Sequence, residues 1–206
     1  IDYNRPVFKD HLMPIGRLRD LPSRLSAADA LIVTKCPTYI DDEQRAAWAA
    51  DLGLKEFDPQ TCEGVRSNGK RQKIFFTYIN YDTPQAVYPE GDTRYLYAKR
   101  LILFSGIAND APLRHFLCGE YKIVKHFNFP DHHKFTRSDI YSIRNASDTY
   151  PTSVIMTTEK DCQRVRDSKA VPGSMKTRLF YAPIKSCFLC EEDKDRFTSI
   201  LLSYLK

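Results

Sequence analysis

Apolar and polar positions run along this chain with two periods, and the switches between them mark the elements. Leu21, Leu25 and Ala28 fall at helical spacing, which predicts a short helix over 21–29. Residues 30–34 are a compact apolar run, β-branched toward its end, as a buried strand requires. Asp41 then opens a helix through Leu52, with Gln44 at the capping-box position and Gly53 as its stop. Residues 73–81 are rich in Ile, Phe and Tyr and are bounded by Asn68-Gly69 and Thr83-Pro84, which predicts a long exposed strand. A second strand is predicted over 95–105, and the pair is expected to form a ribbon, about 73–105, reaching away from the core.

From Arg100 onward strand and helix patterns alternate. Strands are predicted at 101–104, 121–127, 153–156 and 179–184. Helices are predicted at 110–117, 136–144, 158–165 and 191–205. Thr136 with Asp139, and Thr158 with Asp161, stand at capping-box spacing. In the last helix Phe197, Ile200, Leu201 and Tyr204 are expected to face inward. This order predicts the α/β class, as a three-layer α/β/α Rossmann-like domain over 1–206 with a mainly parallel sheet and a projecting two-stranded ribbon. Ligands of such folds gather at the carboxyl ends of the strands.

The composition, 42% hydrophobic and 28% charged, is that of a globular chain long enough to bury a core. No apolar run approaches the ~20 residues of a membrane-spanning helix, and no signal-peptide pattern is present. The chain opens on Ile1-Asp2-Tyr3 rather than Met and reads as the exit from a strand, so it is expected to be cut from a longer protein. A net charge of +5 permits an anionic partner but is also what a solvated basic surface carries. Of six cysteines, only Cys187 and Cys190 have ligand-like spacing, and no second pair is placed to complete a zinc site. Reduced, buried or half-buried thiols are expected, as in cytosolic proteins.

Candidate chemistry concentrates at the strand ends. Asp131-His132-His133 sets a carboxylate and two imidazoles on one loop before a helix cap. Three readings stand open from the residues: a metal site, an acid–base relay, or a polar loop. Thr157-Thr158-Glu159-Lys160-Asp161 follows a strand and opens a helix, so it could hold an anion with Lys160 adding charge, or be only a helix cap. Gly106, between a strand and a helix, is expected to let the backbone turn tightly. Arg17, Arg19 and Arg24 crowd beside Asp20 at another helix start, as a phosphate grip or a solvated terminus. Gly69-Lys70 lacks the other residues of a P-loop and reads as a hairpin turn, so no nucleotide-phosphate cradle is visible.

Five of these segments, in order, resemble one family. They are Leu12-Met13-Pro14-Ile15-Gly16-Arg17-Leu18-Arg19-Asp20, the Ala28-Asp29 strand through Lys35, Phe104-Ser105-Gly106-Ile107-Ala108-Asn109, Asp131-His132-His133, and Thr158-Glu159-Lys160-Asp161. The family is tetraacyldisaccharide 4'-kinase, the lipid A 4'-kinase, in its Bacteroidetes form. Asp20 stands where the family has Glu, and Ala108 replaces the second glycine of the turn.

The resemblance implies the C-terminal part of the kinase, without the P-loop domain that binds most of ATP and Mg2+. It implies γ-phosphoryl transfer from ATP to the 4'-hydroxyl of an acylated glucosamine disaccharide 1-phosphate. The setting would be the cytoplasmic face of a Gram-negative inner membrane, with the anionic surface as partner and no nucleic acid. His132 would assist a catalytic carboxylate of the other domain. Arg19, Asp20 and Arg17 would contact nucleotide or substrate phosphates. Asp131, His133, Gly106, Thr158 and Lys160 would line the cleft, with no metal held by this part, which alone is expected to be inactive. The competing expectations are a stand-alone ligand-binding α/β module, and a metal-dependent phosphohydrolase using the Asp-His-His loop.

Overall fold

A computed structural model describes residues 1–205. The chain divides into two units, one of Ile1–Asn80 with the residues from Ser186 onward, the other of Tyr81–Lys185.

The first unit holds β1 (Ala30–Val33), α1 (Asp42–Asp51), β2 (Leu54–Asp58), β3 (Glu63–Arg66) and most of β4 (Arg71–Tyr81). β4 runs parallel to β1 and antiparallel to β3, which pairs with β2. The β3–β4 hairpin turns at Gly69, whose φ of 82° is the left-handed conformation that favours glycine, as Asn68-Gly69 predicts. α1 starts on the expected capping box of Asp41 and Gln44.

The second unit holds β5 (Gln85–Ala86), β6 (Arg100–Ser105), α2 (Ala111–Cys118), β7 (Lys122–Asn128), α3 (Arg137–Thr149), β8 (Val154–Thr158), α4 (Glu159–Arg166), α5 (Gly173–Lys176) and β9 (Leu179–Ala182). The chain re-enters the first unit within β10 (Ile184–Phe188), which pairs with β4, and ends in α6 (Glu191–Ser203). Alternate residues of β4 serve opposite faces. Ile74 and Phe76 join the cluster that includes Ala49 of α1, whereas Phe75 packs edge-on against Phe188 of β10 and Phe197 of α6.

The second sheet has the order β5-β9-β8-β6-β7, and β9, β8, β6 and β7 are all parallel. Both faces are covered. Ile102, Phe104 and Ile155 cluster with Ile140 and Ile143 of α3 and with Cys162 and Val165 of α4. Leu101, Leu103, Val154 and Met156 cluster with Leu113 and Leu117 of α2. This is the expected α/β/α layering around a parallel sheet. From β6 the chain moves outward to β7, then crosses back to β8 on the other side. The carboxyl end of β6 is therefore a topological switch point, where a crevice opens in such sheets.

The ribbon differs from the one expected over 73–105. β4 is buried rather than exposed at Ile74, Phe75 and Phe76, because it finds its partners in β1, β3 and β10, and 95–105 breaks into a 3-10 turn, Thr93–Tyr97, and β6. β6 cannot project, because Leu101, Ile102, Leu103 and Phe104 are all fully buried between two helical layers. The helix expected over 21–29 is a 3-10 stretch, Pro22–Ala27. Leu201 of α6 and Tyr204 at its C-cap are exposed rather than inward. All six cysteines are free; Cys36, Cys62 and Cys162 are buried, and Cys187 and Cys190 half-buried. Burial first, and then the Asp193 carboxylate, push the Cys62 thiol up to about 12.

Candidate functional site

Three loops of the second unit meet at the carboxyl ends of β6, β7 and β8. Ser105-Gly106 follows β6, the Pro130–His133 turn follows β7, and Thr158 caps α4 after β8. Their meeting is built on the Asp161 carboxylate, which is fully buried. One oxygen accepts from the Gly106 N–H and the Thr158 hydroxyl, both at 2.7 Å; the other accepts from Arg164 at 2.8 Å. The Thr158 side chain caps Asp161 N–H as predicted, but the carboxylate reaches across the sheet to Gly106 instead of completing the box. Gly106 does not take a positive φ. Its value is space: an added Cβ would lie 3.2 Å from an Asp161 oxygen and 3.3 Å from the His133 Cβ.

The Asp131 loop is drawn onto this anchor, with His132 N–H donating to the Gly106 carbonyl at 3.1 Å and to Asp131 Oδ1 at 2.9 Å. His132 takes a φ of 63°. For a residue with a side chain this left-handed conformation costs about 1–2 kcal/mol, a strain of the kind that gathers at functional sites. Its ring is 71% exposed, and each nitrogen faces a cation: Nδ1 is 3.2 Å from Arg164 and Nε2 is 3.3 Å from Lys160. Lys160 also donates to Asp131 at 3.0 Å and holds that carboxyl below the usual range.

The two histidines play different parts. His133 is bonded at 2.9 Å to Asp139 and stacks on Phe129 at 4.6 Å, so its ring is committed to packing. Burial raises the Asp139 carboxyl, but bonds from His133 and Thr136 outweigh this and leave it low. Two cations at the His132 nitrogens oppose a divalent metal there. Among the described residues no three His, Cys, Asp or Glu side chains converge as ligands.

The structure thus brings Gly106, Asp131, His132, His133, Thr158 and Lys160 together. Arg17, Arg19 and Asp20 belong to the first unit. There Asp20 caps Leu21 N–H and pairs with Arg24 at 3.2 Å, and among the described residues neither Arg17 nor Arg19 makes an ion pair.

Sequence reasoning missed Arg164, although it lies four residues beyond Lys160 on α4 and so shares its face. It also missed a network behind the loops. Asp110 makes no capping bond to α2; the Asn109 side-chain carbonyl accepts from Ala111 N–H instead. The Asp110 carboxylate accepts from Ser105 at 2.5 Å, His126 at 2.7 Å and Arg114 at 3.1 Å. Burial raises this carboxyl, yet the three bonds outweigh burial and leave it below its usual range. Asp110→Asn is expected to cost about 1.5–3 kcal/mol at neutral pH. Because the folded value lies below the unfolded value of about 3.9, the carboxylate stabilises above that pH and the benefit fades as pH falls below it. Urea unfolding of both proteins should therefore show the gap narrowing below about pH 4.

Comparison with known proteins identifies the family. The model of tetraacyldisaccharide-1-P 4'-kinase matches residues 1–206, the whole chain. The chain belongs to the tetraacyldisaccharide 4'-kinase family. A tetraacyldisaccharide 4'-kinase of Flavobacterium johnsoniae is 33% identical over 96% of the chain and 51% of the relative. The Parabacteroides distasonis enzyme of the same name is 29% identical over 99% of the chain and 53% of its own length. The chain thus spans about half the length of the curated relatives it matches. A crystal structure of LpxK from Aquifex aeolicus in complex with ATP superposes with a TM-score of 0.53 at 18% identity, over 95% of this chain and 49% of the other. That likeness bears out the α/β fold for this member of the 4'-kinase family.

Proposed function

We propose that this chain is the C-terminal part of a 4'-kinase that moves the γ-phosphoryl of ATP to the 4'-hydroxyl of a tetraacylated glucosamine disaccharide 1-phosphate. The observation that carries this reading is His132, held on a strained backbone at the switch point with its ring open to solvent. Nothing on its own loop gives that ring a substrate to act on: Asp131 is engaged by Lys160 and lies 3.6 Å from Nε2, beyond hydrogen-bond range. A ring presented in this way suits a carboxylate brought by another domain. It would hold that carboxylate in register while the hydroxyl loses its proton.

The described residues do not fit Mg2+, since no three His, Cys, Asp or Glu side chains converge on one point. They contain no glycine-rich phosphate loop for ATP either. The family resemblance assigns both groups to a preceding P-loop domain, so this part by itself is expected to be inactive. Arg17, Arg19 and Asp20 are assigned to nucleotide or substrate phosphates. In the same segment Met13 and Ile15 are 64% and 88% exposed, an apolar tip beside arginines that suits an anionic lipid surface. Among the described residues no helix is long and apolar enough to cross a membrane. A peripheral position on the cytoplasmic face of the inner membrane is part of the proposal.

The test is phosphate transfer from labelled ATP to the tetraacylated disaccharide, run with this chain alone and with the product of its coding sequence extended upstream. Only the longer protein should transfer phosphate. Transfer by the 206-residue chain itself, or none by the extended one, overturns the proposal.

A further inference from the structure

An imidazole offers at most one acceptor nitrogen, whereas arginine and lysine side chains only donate. His132 has such a donor at both nitrogens, Arg164 at 3.2 Å from Nδ1 and Lys160 at 3.3 Å from Nε2. Only one of these approaches is a hydrogen bond, and the surroundings decide which.

The Arg164 guanidinium is pinned. One of its nitrogens donates to the buried Asp161 carboxylate at 2.8 Å and to the Gly106 carbonyl at 3.3 Å. Its planar fork then fixes where the other nitrogen points its hydrogens. Turning Arg164 away from Nδ1 would break its bond to a carboxylate that is fully buried. Lys160 is under no such constraint. It is 45% exposed, rotates freely about a flexible stem, and has Asp131 as a partner at 3.0 Å.

We infer that Arg164 is a positioning residue for His132: its bond to Nδ1 fixes the imidazole as the Nε2–H tautomer. The Nε2–H then points to the exposed edge beside Asp131, where it serves as a donor and not as a base. Lys160 stands near this N–H through its bond to Asp131, without a hydrogen bond to the ring. The tautomer rests on geometry alone, while its consequence for turnover rests on the kinase reading above. On that reading His132 gives a hydrogen bond to the incoming carboxylate, which remains the proton acceptor. Buried Asp161, through Arg164, sets the direction of that bond.

The experiment is a two-bond proton–nitrogen correlation spectrum of the 15N-labelled chain at about pH 8, above the ordinary histidine range. His132→Gln assigns the signals among the five histidines. Unprotonated Nδ1 and protonated Nε2 are expected. An Nδ1–H ring in the wild-type chain overturns the inference, and this reading needs no variant. Arg164→Met should mix the two tautomers and Arg164→Lys should restore part of the original one; an unchanged ring in Arg164→Met also overturns it. In the longer kinase, Arg164→Met should lower kcat by up to about 100-fold with the KM for ATP nearly unchanged. If the ring responds but kcat does not, Arg164 still orients His132, and it is the place of His132 in turnover that falls.

Discussion

His132→Ala, made in the longer kinase, is expected to lower turnover by about 100-fold or more, the loss that follows when a reacting group, here the carboxylate held in register by His132, is misplaced by about 1 Å. The apparent affinity for ATP should hardly move, because the ring is assigned to the acceptor side and not to the nucleotide. Loss confined to kcat marks an interaction made in the transition state and absent from ground-state binding. His133→Ala makes the contrast. Its ring is stacked on Phe129 and tied to Asp139, so its loss should weaken folding more than chemistry. Steady-state rates at varied ATP and varied lipid distinguish the two. Wild-type turnover in His132→Ala would remove the residue from the mechanism.

Asp161→Ala should be strongly destabilising, by about 3–5 kcal/mol. The carboxylate is wholly buried and joins Gly106 after β6, Thr158 after β8 and Arg164 on α4. Its removal leaves the Gly106 N–H and a half-buried guanidinium without their acceptor. The melting temperature should fall by roughly 10 °C. Asp161→Asn keeps the shape and one acceptor oxygen but turns an amide N–H₂ toward other donors, so an intermediate loss is expected. Thermal unfolding followed by circular dichroism measures both. A loss below about 1 kcal/mol would mean that the three loops do not depend on this anchor.

Where local chemistry decides, the sequence was a good guide. The capping boxes at Asp41 and Thr136, the Asn68-Gly69 hairpin and the strand–helix alternation after Arg100 depend on neighbours a few residues apart. The Asp131-His132-His133 and Thr158–Asp161 motifs were visible because their residue types are unusual at a strand end. The ribbon was not legible. An apolar strand carries no mark of its partner, and β4 pairs with β10 more than a hundred residues later. Nor did spacing show that Asp161, at a capping position, would spend its charge on Gly106, 55 residues away.

The family and the class of fold were determined by the sequence alone, since motif order and hydrophobic period survive without coordinates. Which histidine is free and which is packed was decided only by tertiary structure, although the two are adjacent in the chain. His133 lies against Phe129 and Asp139, while His132 is carried outward on a left-handed backbone. The direction of the His132 hydrogen bond was likewise a tertiary matter. It follows from a guanidinium held by a buried carboxylate, and burial is a property that no single stretch of sequence possesses.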